Sequence, residues 1–182
     1  EVTVVDDFSK GKLKNLEKNI NNIIIKEGDL ENTKFTIEAL SNSEIVFHLA
    51  SRAYGIGYSK NNHLRTLIHN EKITTNLIEA LSKTNVKNLL AVSSSCVYSD
   101  FGPDLISEKE RLIEQPEIAN LGYGWAKRFL EQKLCVLANE KKISLNLVRP
   151  FNIYGERYAW VGKFSQAIPM LVKKIMDEED PI

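Results

Sequence analysis

The chain has 182 residues, 43% hydrophobic and 26% charged, and its 24 basic and 24 acidic side chains give a formal net charge of zero. That composition suits a globular domain with a real core and argues against disorder, while the scattered basic residues argue against nucleic acid or an anionic membrane surface as partner. No apolar run approaches the roughly 20 residues that cross a bilayer, and the opening Glu1-Val-Thr-Val-Val5 has no signal-like form, so a cytoplasmic protein with no membrane anchor is predicted.

The first predicted strand, Val2 to Val5, ends on Asp6 and runs into a polar loop, Lys10-Gly-Lys-Leu-Lys14. An acid in that place can accept the ribose hydroxyls of an adenosine and repel a 2′-phosphate, although strand-end acids also serve as turn residues. A second strand, Ile23 to Lys26, leads through Gly28-Asp29-Leu30 to a helix from Thr33 to Leu40. The third strand, Ile45 to Leu49, carries His48, read as a satisfied core histidine. It opens into Ala50-Ser-Arg-Ala-Tyr-Gly-Ile-Gly57, where small residues permit close backbone approach by a ligand.

A long helix follows from about Asn62 to Lys83, with Leu64, Leu67, Ile68, Ile73, Leu77, Ile78 and Leu81 at three- and four-residue spacings that mark one buried face. His63 and His69 have no metal-like partners there and receive no role. The fourth strand, Asn88 to Val92, ends in Ser93-Ser-Ser-Cys-Val-Tyr98. After a helix from Tyr123 to Lys141, the fifth strand, Leu145 to Val148, runs into Arg149-Pro-Phe-Asn-Ile-Tyr-Gly155. Pro169 forbids one straight helix beginning at Phe164, so the last helix is predicted to start near Pro169 and to reach Met176.

Short β-branched strands alternating with longer helices predict an α/β fold around a parallel sheet, and strands apolar on successive residues predict cover on both faces. Cys96 and Cys135, with no Cys-x-x-Cys and no clustered His, argue against a disulfide framework or a metal site. Cys135 sits in the apolar register of its helix and reads as packing. Within that helix, Tyr123 and Lys127 are four residues apart and face the same way. An ammonium there favours the phenolate and lowers a pKa that starts near 10, making Tyr123 a usable general base. The spacing alone is common, but its order after a serine-rich strand end and before Arg149-Pro-Phe-Asn places three polar clusters at successive carboxyl ends of parallel strands. That edge is where open α/β sheets bind ligands. No Gly-x-Gly-x-x-Gly run occurs, which leaves two readings: the first βα unit lies elsewhere, or the fold is a different one.

Taken together, Val4-Val-Asp6, Gly28-Asp29, His48-Leu-Ala-Ser51, Ser93-Ser-Ser-Cys-Val-Tyr98, Tyr123-x-x-x-Lys127, Arg149-Pro-Phe-Asn-Ile-Tyr-Gly155 and Ile168-Pro-Met-Leu-Val-Lys-Lys174 resemble the extended short-chain dehydrogenase/reductase family. The likeness is to its NAD-dependent nucleotide-sugar epimerases and dehydratases. It implies a Rossmann-like, doubly wound parallel sheet, with a Gly-rich first unit and most of a C-terminal substrate domain outside these residues. Residues 1–155 would be the NAD-binding domain and 156–182 the start of the substrate-binding region. Without the helix N-terminus that holds the pyrophosphate, residues 1–182 alone are expected to bind NAD weakly.

The resemblance further implies that Tyr123 is the catalytic base, that Lys127 holds the nicotinamide ribose, and that Ser94 bonds the reacting sugar oxygen. Ser93 and Ser95 are left as loop and backbone-bonding residues. Asp6 would take the adenosine ribose, Asp29 and Leu30 the adenine side, and Ala50 and Ser51 the middle of the cofactor. Phe151 and Asn152 would lie between nicotinamide and substrate phosphates. A homodimer through the helices at about 62–83 and 123–141 also follows.

Cys96-Val97 stands where the family's dehydratases carry Asp-Glu, which argues against dehydration. The favoured reaction is 4-epimerisation through a transient 4-keto sugar. Cys96 resembles the thiol of 3,5-epimerases and epimerase-reductases acting on GDP-sugars, the alternative reading, although their partner residues match only a displaced Lys163 or are replaced by Glu156-Arg157. A third reading keeps the fold as a non-catalytic nucleotide-binding module, against which Ser94, Tyr123 and Lys127 speak.

Overall fold

The structure is a computed structural model that describes residues 1–162 and 165–179. Lys163, Phe164 and the closing Asp180-Pro-Ile182 therefore lie outside the described residues. The β-branched runs form the predicted strands: β1 (Val2–Asp6), β2 (Ile23–Glu27), β3 (Ile45–His48), β4 (Asn88–Val92) and β5 (Ser144–Val148). All pairings are parallel, in two sheets: β1 with β2, Val5 opposite Lys26, and β3–β4–β5 in that order, Ala91 opposite His48 on one side and Leu147 on the other. Among the described residues β4 is paired along both edges and β1, β2, β3 and β5 along one.

The helices are α1 (Thr33–Leu40), α2 (Ile56–Ser59), α3 (His63–Ser82), α4 (Leu121–Lys141) and α5 (Ala167–Met176). Asn32 caps α1, its side chain accepting from Phe35 N, which satisfies one of the orphan donors of the first turn. Pro169 falls in the first turn of α5, where a missing N–H costs nothing. Two short 3-10 turns, Ser95–Val97 and Ile118–Asn120, flank the site, and a longer 3-10 segment spans Leu13–Asn22. That segment was not predicted, because it is rich in Asn; its signal was the spacing of Leu13, Leu16 and Ile20. Among the described residues no helix is long and apolar enough to cross a membrane.

The core gathers Ala39 and Leu40 of α1, Leu77, Ala80 and Leu81 of α3, and Leu130, Leu134 and Leu137 of α4 over Leu89 and Ala91 of β4. Leu81, Leu89, Leu130 and Leu134 are fully buried, so truncating any one to Ala costs about 2–5 kcal/mol. Cover on both sheet faces is not what β3 shows. Val46 and His48 turn inward, whereas Ile45 and Phe47 are exposed.

The single apolar face expected of α3 also divides. Its C-terminal half buries Ile73, Leu77, Ala80 and Leu81, but in its N-terminal half Thr66 and Asn70 are buried while Leu64 and Ile68 are exposed. That half lies against loops whose backbone groups need polar partners. Cys135, read as packing, is exposed on α4, and neither cysteine is in a disulfide.

Candidate active site

Loops at the carboxyl ends of the strands form a cleft of about 770 Å³. Asp6, Asp29, Leu30, Ala50, Ser51, Tyr123 and Lys127 all line it, so the structure brings these predicted residues together. After β1, Asp6 Oδ1 accepts from Phe8 N at 2.7 Å, and its main-chain oxygen takes Gly28 N at 3.0 Å, tying this loop to the one after β2. There Asp29 Oδ1 accepts from Glu31 N at 2.8 Å, and Leu30 O from Asn76 Nδ2 at 2.8 Å and Thr36 Oγ1 at 3.1 Å. A pocket wall with so many fixed backbone groups needs little reorganisation to take a ligand.

The loop after β3 is held by Asn70, which no motif marked. Its Oδ1 accepts from Ser51 Oγ at 2.9 Å and Arg52 N at 3.0 Å, and its Nδ2 donates to Arg52 O at 3.2 Å and Thr66 O at 2.8 Å. The available signal was the run Thr66, Asn70 and Thr74 at four-residue spacing, a polar stripe along the helix that is buried. Arg52, also unmarked, spans the two sheets. Its Nη2 lies 2.6 Å from Asp7 Oδ2 and 3.3 Å from Asp29 Oδ2, and its Nη1 donates to Ser9 Oγ. Lys10 lines the same cleft, and burial lowers its ammonium from the ordinary value.

At the other end, Tyr123 is placed by two close approaches. A Cβ on Gly122 would stand 2.0 Å from His63 O, and one on Gly124 2.5 Å from Cys96 O and from Pro116 Cβ. His63, given no role from the sequence, accepts from Gly122 N at 3.4 Å. The Tyr123 hydroxyl lies 3.4 Å from Ser51 Oγ. Lys127 Nζ donates to Val92 O at 2.7 Å and stands 5.5 Å from the Tyr123 ring centre.

A lowered phenol pKa was expected here, and the structure gives the opposite. Burial pushes Tyr123 up to about 12, with only the Ser51 bond opposing it, and burial lowers Lys127 to about 8. The ammonium is spent on a strand carbonyl rather than on the phenol, so the desolvation of both groups prevails. His48 is buried as read, and burial together with the Lys127 charge lowers it to about 3.

Ser94 is buried at the end of β4, its Oγ accepting from Cys96 N at 3.2 Å. Cys96 is half-buried, and burial, with Glu117 adding to it, pushes its thiol up to about 12. It is a neutral thiol in this setting, not the activated thiolate of a redox cysteine. Ser95 N bonds Pro150 O at 3.1 Å, as a loop residue would, but Ser93 Oγ donates to Glu131 Oε1 at 2.5 Å. Phe151 and Asn152 are exposed and do not line the cleft; the Phe151 ring stacks 6.0 Å from Tyr98. Instead Arg157 to Trp160 close its far wall, Arg157 Nη1 donating to Asn15 O at 3.0 Å.

The set suits a dinucleotide's two ends. Carboxylates stand at the tips of β1 and β2, and the Tyr123 phenol, the Ser51 hydroxyl and the Lys127 ammonium lie together between the ends of β3 and β4, while Ser94 does not line the cleft.

Comparison with known proteins identifies the family. The sequence model of the NAD dependent epimerase/dehydratase family matches residues 1–182. A UDP-N-acetyl-alpha-D-glucosaminuronate decarboxylase of Bacillus cytotoxicus is 30% identical over 179 residues, 98% of this chain and 54% of its own. A GDP-L-colitose synthase of Yersinia pseudotuberculosis is 30% identical over 155 residues, 83% of this chain and 50% of its own. Among solved structures, a UDP-N-acetylglucosamine 4-epimerase from Methanobrevibacter ruminantium M1 superposes with a TM-score of 0.84 at 27% identity, over 99% of this chain and 56% of that one. The chain thus spans about half the length of the proteins it matches. With the family model covering every residue, the chain belongs to the NAD dependent epimerase/dehydratase family.

Proposed function

We propose that the protein is an NAD-dependent nucleotide-sugar epimerase of the cytoplasm that inverts C4 of its substrate through a transient 4-keto sugar. The observation that carries the reading is the convergence of Tyr123, Ser51 and Lys127 in the same cleft as Asp6 and Asp29. Asp6, Asp29, Leu30, Ala50 and Ser51 hold the cofactor with Tyr123 and Lys127, and Ser94 holds the sugar nucleotide; Phe151 and Asn152 stand outside the cleft, so their parts at the nicotinamide and the sugar nucleotide require the turn after β5 to move in. Residues 1–155 make the cofactor domain, and 156–182 begin the substrate region.

Tyr123 takes the proton of the C4 hydroxyl, Ser94 orients that oxygen, and Lys127 keeps a positive charge beside the phenol. A nicotinamide held beside Tyr123 and Lys127 would accept the C4 hydride, and its positive charge would favour the phenolate that burial otherwise opposes. Once the ketone has turned, the Tyr123 phenol would give its proton back to the C4 oxygen as the hydride returns from the reduced nicotinamide to the other face of C4.

A second reading gains support from Cys96 beside Ser94 and from the name of a 29% identical relative in Arabidopsis thaliana, GDP-mannose 3,5-epimerase. In it the neutral thiol gives a proton to a carbon next to the ketone. Full-length protein incubated with NAD and a panel of nucleotide sugars in deuterated water separates the two. C4 inversion with no net NAD reduction and no ring deuterium supports the first, deuterium at C3 or C5 the second, and no conversion by folded protein removes both. Free Cys96 and Cys135 fit the reducing setting of the cytoplasm. Exposed Leu64 and Ile68 of α3 and Phe129 and Val136 of α4 support a homodimer through these two helices.

A further inference from the structure

The proposed reaction needs the Ser94 loop and the Arg149–Asn152 turn at fixed distances from Tyr123, and one buried carboxylate bonds to both segments. Glu131 is 3% exposed. It follows Lys127 by four residues and Tyr123 by eight on α4, so all three share one stripe of the helix. Its Oε1 accepts from Ser93 Oγ at 2.5 Å and from Arg149 Nε at 2.8 Å, and its Oε2 from Arg149 Nη2 at 2.6 Å. Arg149 Nη1 continues to the Tyr98 hydroxyl at 3.0 Å, and Tyr98 carries the Phe151 ring. Backbone bonds from Ser93 N to Val148 O at 2.8 Å and from Ser95 N to Pro150 O at 3.1 Å already join the two segments to each other. Lys127 and Arg128 of the same helix bond the main-chain oxygens of Val92 and Val97 at 2.7 and 2.8 Å, but among the described residues Glu131 is the α4 group that bonds a side chain of each segment at once.

Stability does not explain such a group, because a buried ion pair replaced by apolar residues of similar volume is often no less stable. A bidentate guanidinium and a serine hydroxyl on one carboxylate do fix distances and angles. Resting on the epimerase reading, we propose that Glu131 is a positioning residue that sets Ser94 and the Phe151–Asn152 turn against Tyr123 through Ser93 and Arg149.

The test uses full-length protein with Glu131→Leu/Arg149→Met, Arg149→Lys and Tyr123→Phe, measuring kcat, substrate KM, the Kd for NAD by fluorescence titration, and melting temperature. The expected result is a double variant that melts near the wild type and binds NAD within about threefold, yet loses roughly 100-fold in kcat, the scale of an ångström of misplacement. Arg149→Lys, which keeps the charge but not the fork, is expected to lose roughly tenfold. If the double variant keeps kcat within about threefold while Tyr123→Phe is inactive, the positioning role is overturned and the epimerase reading stands. Should the double variant fail to fold, the same threefold criterion applied to Arg149→Lys decides. An active Tyr123→Phe would remove the reading itself, and the role with it, which is a different result.

Discussion

Tyr123 sits between two glycines that are there for reasons of distance, not backbone conformation. Adding one methyl at Gly124 puts a carbon 2.5 Å from Cys96 O, so either the serine loop or the first turn of α4 must move. Gly124→Ala is therefore expected to cost about 1–3 kcal/mol of stability and to lower turnover by more than the loss of folded protein accounts for; a variant with wild-type kcat would show that the contact relaxes elsewhere. His48 has a separate consequence. Its folded pKa is about 3 against 6.5 for the free imidazole, so between those values the unfolded chain binds a proton the folded chain does not. Stability then falls as pH drops from 6.5 towards 3, by at most about 1.4 kcal/mol per pH unit from this group. Urea unfolding of wild type and His48→Gln at pH 7 and pH 5 checks the sign: the variant should lose less on acidification.

At the scale of elements, strands and long helices were legible because their periodicities are strong: α1 has the predicted bounds, and β4 matches residue for residue. What was not legible depends on tertiary neighbours. Nothing in the run of α3 distinguishes exposed Leu64 from buried Leu77, because only the position of the strand-end loops decides where the helix must bury an amide, as it does at Asn70 and Asn76. Tyr123 and Lys127 were singled out by their order among the strand-end clusters and both line the cleft, but the direction of the Tyr123 pKa was not legible, since it turned on Lys127 choosing the Val92 carbonyl. Glu131 and Arg149 meet only once the α4 stripe and the end of β5 are in place. One element end carries its own strain: Lys142 closes α4 in the left-handed region at φ 57°, ψ 40°, where glycine has no Cβ penalty. Lys142→Gly is expected to raise stability by about 0.5–1 kcal/mol, read as a higher urea midpoint at unchanged m-value; a lower midpoint would mean that the side chain itself contributes more than the strain removes.

For the whole molecule, the two sheets meet at their carboxyl ends through Arg52, whose partners Asp7 and Asp29 follow β1 and β2 while it follows β3. That staple builds the Asp6–Asp29 end of the cleft from both sheets, which no local pattern could have forecast. The other molecular-scale feature is the outer surface of the α3–α4 pair. Leu64 is 70% exposed, Ile68 55%, and Val136 58%, on helices joined to each other by the Lys133–Glu71 ion pair. Large side chains at i and i+4 of one helix form a patch rather than scattered exposure, and a second copy offering the same patch would bury it by two-fold symmetry. A Leu64→Glu/Ile68→Glu variant would place two carboxylates from each copy in that contact, where their desolvation opposes association. Sedimentation equilibrium of full-length protein is expected to give a dimer for the wild type and a monomer for the variant, with melting of the monomer lowered by dilution no further. A monomeric wild type, or a variant that remains dimeric, would place the contact elsewhere and return Leu64 and Ile68 to ordinary surface.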